Sequence, residues 1–365
     1  MGAADALQDC VDRAAPFSSI DIPSGVYTLR TQVVISKALT IRTAGGAGHD
    51  VGCVANPDQC ATLMADPHLY APHGMLLVRV TTGARLEHLV LDGNRAARLD
   101  TPAARSCRAG QNSLGFNVAV LECTRCAVED VVSMNALCGT GMAWIGGQAV
   151  IRRSEFRANG DASTPRMWAD GLTLLFAPDS DISDNRFIDN SDIGLIVGYG
   201  VRSRVEGNLV VQRAQPAFAG LMLDNFNSND LHTRGDFRGA VVTRNTIDCG
   251  AQLCVFGIQV GPRPWYPAQN IIGGELHDNE VRGAKIGINV DGAGVRMAPT
   301  AVFANSVSGV PDRAYFSDCA RSIPTHWLNV GPSSVVDRRD ELTEAGATLS
   351  DPCQLHSDVA VSETR

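Results

Sequence analysis

No run of 18 apolar residues occurs anywhere in the 365-residue chain, so no segment reads as a membrane-spanning helix. Basic clusters are missing too: 31 Lys+Arg stand against 39 Asp+Glu, for a formal charge of −8, and aromatics make up only 5%. That balance lacks the positive stripe and stacking residues of a nucleic-acid binder, so nucleic acid is not an expected partner. No Gly-x-Gly-x-x-Gly precedes a helical pattern, which sets aside a dinucleotide site. Charged residues are few, 19% against 44% hydrophobic, and such a chain folds rather than staying disordered. A length of 365 residues suggests two domains at about 150 each, unless a repeat makes one long domain. What the chain has in surplus is glycine, 36 residues, where roughly 7% is usual.

Cysteine is also plentiful, at eleven: Cys10, Cys53, Cys60, Cys107, Cys123, Cys126, Cys138, Cys249, Cys254, Cys319 and Cys353. A reducing cytosol has little use for so many, and Cys53/Cys60 and Cys249/Cys254 are near enough in sequence to close short loops. The count predicts a secreted or periplasmic protein with up to five disulfides and one thiol left over. Cys123 and Cys126 also fit a redox or zinc pair, and with Cys107 and Cys138 they make four possible ligands. Two local disulfides are the simpler reading. Met1-Gly2-Ala3 leads straight into polar sequence, so an exported form is expected to carry a leader that does not show here.

The glycines recur at the start of short alternating segments: Gly141, Gly171, Gly194, Gly220, Gly257 and Gly287. In each, the first and third residues after the glycine are apolar and are expected to face a core, as in a strand of period two. A second pattern follows the last five, an apolar residue, two variable ones, Asn, one variable, apolar. Its members are Ile182/Asn185/Phe187, Val205/Asn208/Val210, Val242/Asn245/Ile247, Leu276/Asn279/Val281 and Val302/Asn305/Val307. Ile151/Ser154/Phe156 is an imperfect earlier copy. Asn at a fixed turn position suits a sharp bend, because it tolerates the left-handed region and bonds its own backbone. The glycine steps are 30, 23, 26, 37 and 30 residues of short strands and turns. Such a period predicts a stacked β-solenoid, since a propeller blade needs four strands in about 40 residues.

On these residues the chain resembles the right-handed parallel β-helix of the pectate-lyase-like superfamily over roughly residues 4–310. Ile20–Leu29 and Leu39–Ile41 look like its entry coils, and Leu89–Asn94 like a characteristic early coil. The expected fold is therefore all-β, a single-stranded right-handed parallel β-helix. Residues 1–19 form a short N-terminal cap helix with Leu7, Cys10, Val11 and Ala14 on one face. Residues 20–310 form the β-helix, and from 311 on the repeat is lost. Residues 311–355 are an irregular C-terminal cap around Trp327, with a possible Cys319–Cys353 staple, and 356–365 a tail. A monomer and a side-by-side homotrimer, as in some relatives, both suit this architecture.

Glycine-to-asparagine distances localise insertions. They are 14 residues for the coils at Gly171 and Gly194, but 25, 22 and 18 at Gly220, Gly257 and Gly287. Three neighbouring loops thus stand on one edge of the solenoid, where function concentrates. The first carries His232, Arg234 and Arg238; the second carries Arg263, Trp265 and Tyr266. The aromatics suit sugar rings and the cations suit hydroxyls or carboxylates, although Trp265 and Tyr266 also fit a plain cover for the loop base. On the outward face, even offsets place Asp192 and Lys285 two before the glycine, and Thr173, Gln259 and Asn289 two after. Asp224 and Asp291 follow at four after, two rungs or ~10 Å apart. That is near the ~6.5–9.5 Å of inverting glycosidases; the plain alternative is that Asp224 caps its loop and Asp291 starts a turn.

Trp168-Ala-Asp170-Gly171 and Asn190-Ser-Asp192-Ile193 are similar to the layout of polygalacturonase-type glycoside hydrolases. That family reads Asn-Thr-Asp-Gly, then Asp-Asp one coil later, then Gly-His-Gly, then Arg-Ile-Lys. Asp170 matches the first Asp and Asp192 the second of the pair. Ser191 stands where the general acid belongs, Ala219-Gly220 replaces His-Gly, and Gln259-Val260 replaces Arg-Ile. Pectin hydrolysis by the family mechanism is therefore not expected. Two carboxylates one rung apart remain, able to share a proton, act as acid and base, or bind Ca²⁺.

The resemblance, together with the acidic and aromatic lining, implies a secreted or periplasmic carbohydrate-active enzyme. Asp170, Asp192, Asp224 and Asp291 are the candidate catalytic groups. Trp168, His232, Arg238, Gln259, Arg263, Trp265, Tyr266, Lys285 and Asn289 are candidate contacts to a polysaccharide or oligosaccharide in the groove. Paired aspartates favour a glycoside hydrolase or transglycosylase, with no cofactor assigned beyond a possible Ca²⁺ and no metal ligand chosen. A uronate lyase or epimerase would need a base plus a cation such as Lys285, Arg238, Arg263 or His232. The rival class is a non-catalytic glycan-binding or surface β-helix.

Overall fold

The computed structural model describes residues 3–45, 52–224, 235–261, 271–290, 300–310, 313–317 and 334–335. The chain divides into two units, Met1–Thr173 with Asp181–Asp192, and Leu174–Ser180 with Ile193–Arg365, and both are wound in the same way. Among the described residues the ladders between strands are parallel, each coil contributing one strand to one sheet and one or two to the other. The chain is the right-handed parallel β-helix expected.

In the first unit the long strands include Val33–Ile35, Leu76–Thr82, Val118–Thr124 and Gly139–Ile145, in register Leu77, Ala119, Ala143. Arg85–Asp92 and Ala127–Met134 run side by side and then give way to paired short strands such as Val150–Arg152 and Glu155–Arg157. In the second unit Ile193–Val197, Ala217–Leu223, Cys254–Val260, Ile286–Val290 and Arg313–Ser317 form the long ladder. Its last rung corrects the expectation that the repeat ends near 310. Ala314 and its neighbours continue the ladder without the opening glycine that marks the other rungs. The C-terminal cap and tail otherwise lie outside the described residues, as do Cys319, Cys353 and Trp327.

Why glycine opens the repeat is steric. A Cβ on Gly141 would lie 2.6 Å from Asn159 Nδ2 and 2.7 Å from the Gly171 carbonyl, and one on Gly220 or Gly257 would collide with Ile247 or Val281. The glycine faces the interior, where short strands of the same unit crowd its backbone.

The asparagines play a different part from the one expected. The left-handed residue at each bend is the one before Asn: Asp184, Gly207, Arg244, Asp278 and Ala304, with φ between 52° and 65°. The Asn side chains instead stack inside as an amide ladder. Asn208 N and Nδ2 donate to Asn245 Oδ1 (3.0 and 2.9 Å), Asn245 to Asn279, and Asn279 to Asn305. The Nδ2 groups of Asn245, Asn279 and Asn305 also reach a carbonyl one coil back, as Asn245 does to Val205 O at 3.0 Å. Ser154, the imperfect copy, does part of this work by accepting from Val131 N.

The N-terminal helix Ala3–Arg13 covers the first rung. Gln8 both accepts from Val34 N and donates to Val34 O, and Lys37 Nζ caps the carbonyls of Val11, Asp12 and Ala14. An edge strand left open is a template for aggregation, and this helix closes it. Leu7 and Val11 are buried, but Cys10 is exposed and unbonded, contrary to its place on the apolar face.

Four disulfides are described: Cys53–Cys60, Cys107–Cys138, Cys123–Cys126 and Cys249–Cys254. The four-ligand zinc reading therefore fails, because its thiols are consumed in two bonds. Cys107–Cys138 closes the longest loop, 31 residues, and pins helix Pro102–Arg108 to the strand start at Gly139. Replacing both cysteines by Ala is expected to cost about 3.7 kcal/mol by loop closure alone, against clearly less for Cys123/Cys126. Calorimetric melting of the two double variants checks the order; equal losses would refute it.

Candidate functional site

Asp170 is the second residue of the strand Ala169–Phe176, and strict alternation breaks at the glycine after it. Thr173 Oγ1 lies 2.8 Å from Asp170 Oδ2 and 3.1 Å from Thr140 Oγ1, so the residue before the glycine and the second after it share the outward side. Thr140 holds, one coil back, the place of Asp170. The outward columns are therefore one before and two after, not two before and two after. The inward glycine causes this slip, by setting two consecutive residues toward the core.

Asp192 N donates to the Ala169 carbonyl at 3.2 Å. That bond sets Asp192 alongside Asp170 on the next coil, about 4.8 Å between backbones. Their exposures are only 7% and 6%, so both carboxylates have lost most of their water and depend on hydrogen bonds for support. Ser191, at the position of a general acid, ties down backbone instead: its hydroxyl accepts from Ala169 N at 2.9 Å.

Beside this strand start stands a lobe that glycine counting does not register, because its coils lack the motif. It comprises helices Arg95–Arg98 and Pro102–Arg108, the turn Asn112–Gly115 and the loop before Trp168. Trp168 is half-buried, bridges to Gly160, and accepts from Gly139 N at 2.8 Å. Arg95 donates to the Ala158 carbonyl and faces Asp161 and Asp92; burial pushes its pKa down. Arg98, 1% exposed, donates to the carbonyls of Gly93, Leu69 and Leu114, and burial lowers its pKa to about 10.

The outward face of the second unit is not the polar groove expected. Ile193, Ile196, Phe218, Ala219, Met222, Phe256 and Ile286 form one buried apolar cluster there. Gln259 and Asn289 are fully buried next to it. Asn289 Nδ2 donates to Gln259 Oε1 at 2.6 Å, and Gln259 Nε2 to the Gly261 carbonyl at 3.2 Å. Two adjacent amides thus continue the internal style of this fold, and neither presents a surface to a ligand. Asp224 is buried, its N bonded to Val197 O at 2.9 Å, while Lys285 is exposed at its strand start. Asp291, His232, Arg234, Arg263, Trp265 and Tyr266 lie outside the described residues. Among the described residues no group of three His, Cys, Asp or Glu side chains is placed to hold a metal ion.

Arg238 is described, and its guanidinium chelates Asp236 (2.7 Å at the shortest). Arg202 chelates Asp179 in the same way, at 2.6 Å twice. Asp179 and Asp248 are held below the ordinary carboxylate range, first by the hydrogen bonds from Arg202 and Arg213. Burial alone would push Asp236 up, but the bonds from Arg238 outweigh it and the net direction is down. Folded pKa values below the unfolded ones mean fewer protons bound in the native state. Stability is thus full above the ordinary value of about 4 and is lost as pH falls through and below it. The melting temperature should drop over that window, and less steeply for Asp179→Asn/Asp248→Asn. The difference will be small because these pairs are largely exposed; parallel curves would exclude them as a cause.

The fold places the chain among solved β-helix proteins. It is similar to the tailspike protein of E. coli bacteriophage HK620 in complex with a pentasaccharide, with TM-score 0.59 and 10% identity, covering 87% of this chain and 56% of that one. It is similar to a hyperthermoactive exopolygalacturonase from Thermotoga maritima, with TM-score 0.54 and 11% identity over 91% and 87% of the two chains. It is likewise similar to an alginate lyase from Paenibacillus sp. str. FPU-7, with TM-score 0.53 and 15% identity over 87% and 96%. No family model matches the sequence, and no curated protein matches it. At these identities the likeness is one of fold. Among the described residues no helix is long and apolar enough to cross a membrane.

Proposed function

We propose that the protein is an exported carbohydrate-active enzyme, a glycoside hydrolase or transglycosylase working through Asp170 and Asp192. One observation carries the reading: two nearly buried aspartates on adjacent coils, one with the Thr173 hydroxyl on its carboxylate. Rung spacing of about 4.8 Å is close to the ~5–5.5 Å between the carboxyl groups of retaining glycosidases. The Thr173 hydroxyl, 2.8 Å from one carboxylate oxygen, orients Asp170 for the part of nucleophile. Asp192 then supplies the proton to the glycosidic oxygen as Asp170 bonds to the anomeric carbon and the leaving sugar departs. Water, giving its proton to Asp192, breaks the resulting ester; a sugar hydroxyl in its place gives transfer. Support also comes from neighbours that act on or bind glycans and from four disulfides, which suit an oxidising compartment.

The test is a panel of fructans, arabinans, galactans, pectins, alginate and glycosaminoglycans, with Ca²⁺ and with chelator. Products are read as reducing ends and as ultraviolet absorbance of unsaturated uronate. Reducing ends without absorbance, lost in Asp170→Asn, support the proposal. Absorbance gain would make the enzyme a lyase. No product with any glycan, with or without Ca²⁺, would favour a binding module.

A further inference from the structure

Three consecutive turns of the second unit lie side by side and are zipped by backbone bonds. Ala177 N meets Tyr199 O, Asp179 N meets Val201 O, Gly200 N meets Asp236 O and Arg202 N meets Arg238 O, at 2.8–3.2 Å. On this frame Phe176 and Tyr199 stack, ring centroids 4.7 Å apart and planes within 21°, both rings half-buried. Arg202 and Arg238 stand on the same zipped turns, each fixed by a chelating carboxylate as described above.

The arginine stems rest over glycines. A Cβ on Gly239 would come within 3.3 Å of Arg202 Cγ, and one on Gly273 within 2.8 Å of Arg238 Cγ. Gly200 in turn leaves room for the Phe237 ring, 3.0 Å from where its Cβ would be. The side chains are pre-placed, although they are 63% and 67% exposed. The Tyr199 phenol lies within electrostatic reach of both.

We infer that this strip is a binding subsite for a neutral sugar ring. Hydroxyls both donate and accept, and the strip alternates guanidinium donors with carboxylate acceptors beside an aromatic face. Two arginines against two aspartates leave no net charge, so a sugar carboxylate gains nothing from binding here. Rigid placement lowers the ordering cost that usually weakens flexible arginine contacts. The assignment rests on the carbohydrate reading proposed above but uses none of its catalytic groups.

The test titrates the full-length protein by calorimetry with cellohexaose, mannohexaose, galactohexaose and arabinohexaose, and with hexagalacturonate as the acidic control. Tyr199→Leu, which keeps apolar bulk against Phe176, and Arg202→Met are run beside wild type after matching melting temperatures. Binding of a neutral hexasaccharide that weakens about tenfold in both variants, the loss expected for one anchoring contact, supports the subsite. Binding that neither variant weakens, binding of the acidic hexamer alone, or no binding at all overturns it. The glycan-degradation panel is read separately, so failure of the subsite and failure of the enzymatic reading are distinguishable.

Discussion

Asp170→Asn is expected to lower product formation by at least ~10³-fold while leaving the melting temperature unchanged. The substitution keeps shape and can still accept the Thr173 hydroxyl, but an amide is neither nucleophile nor base. Asp192→Asn should cost a comparable ~10²–10⁴-fold by removing the proton donor. The informative partner is Thr173→Val. Thr173 touches the carboxylate at 2.8 Å and positions it. Without that donor the carboxylate loses its fixed orientation, so kcat should fall while KM holds, and Thr173→Ser, which keeps the hydroxyl, should restore it. A purely structural Thr173 would change stability without splitting kcat from KM. Retention of more than a tenth of wild-type turnover in Asp170→Asn would sink the assignment, and Asp224 would then be the next carboxylate to test.

Much of the fold was legible because a solenoid repeats its constraints. Each coil must place a glycine where Asn159, Ile247 or Val281 crowds the backbone, and an amide where neighbouring backbones need partners, so spacing alone exposes the coil. The alternation rule misled at one point. It assumes a uniform strand, but the inward glycine shifts the outward column by one position and brings Asp170, not its neighbour, beside Thr173. The lobe carrying Arg95 was not legible, because its coils lack the glycine and asparagine from which insertions were measured. The rung at Arg313–Ser317 escaped for the same reason. The apolar floor around Phe218 and Met222 was misjudged for a further reason. Period-two reading tells which residues leave the core and says nothing about what covers them once they do.

The amide ladder supplies the largest expected effect on stability, and it separates two explanations of the same asparagine. If Asn245 were retained for its tolerance of a left-handed bend, Asn245→Gly would be mild. The structure places the positive φ of 53° on Arg244 and buries Asn245 at 1% exposure. Asn245→Gly removes the acceptor used by Asn208 N and Nδ2 and the donor used by Val205 O and Asn279 Oδ1. Leaving such buried groups unmatched costs about 1–3 kcal/mol each, so even partial relaxation leaves a loss of about 4 kcal/mol or more. Against a total stability of order 5–15 kcal/mol, that is enough to melt neighbouring coils. Arg244→Gly should be close to neutral. Glycine adopts the left-handed bend without strain, as Gly207 does one coil earlier, and the buried Glu206 carboxylate keeps its second ion pair, with Arg204, when Arg244 is removed. Urea unfolding of the two variants followed by far-ultraviolet circular dichroism checks the order. A mild Asn245→Gly beside a damaging Arg244→Gly would return the asparagine to the role of a turn residue and leave the ladder a by-product of stacking.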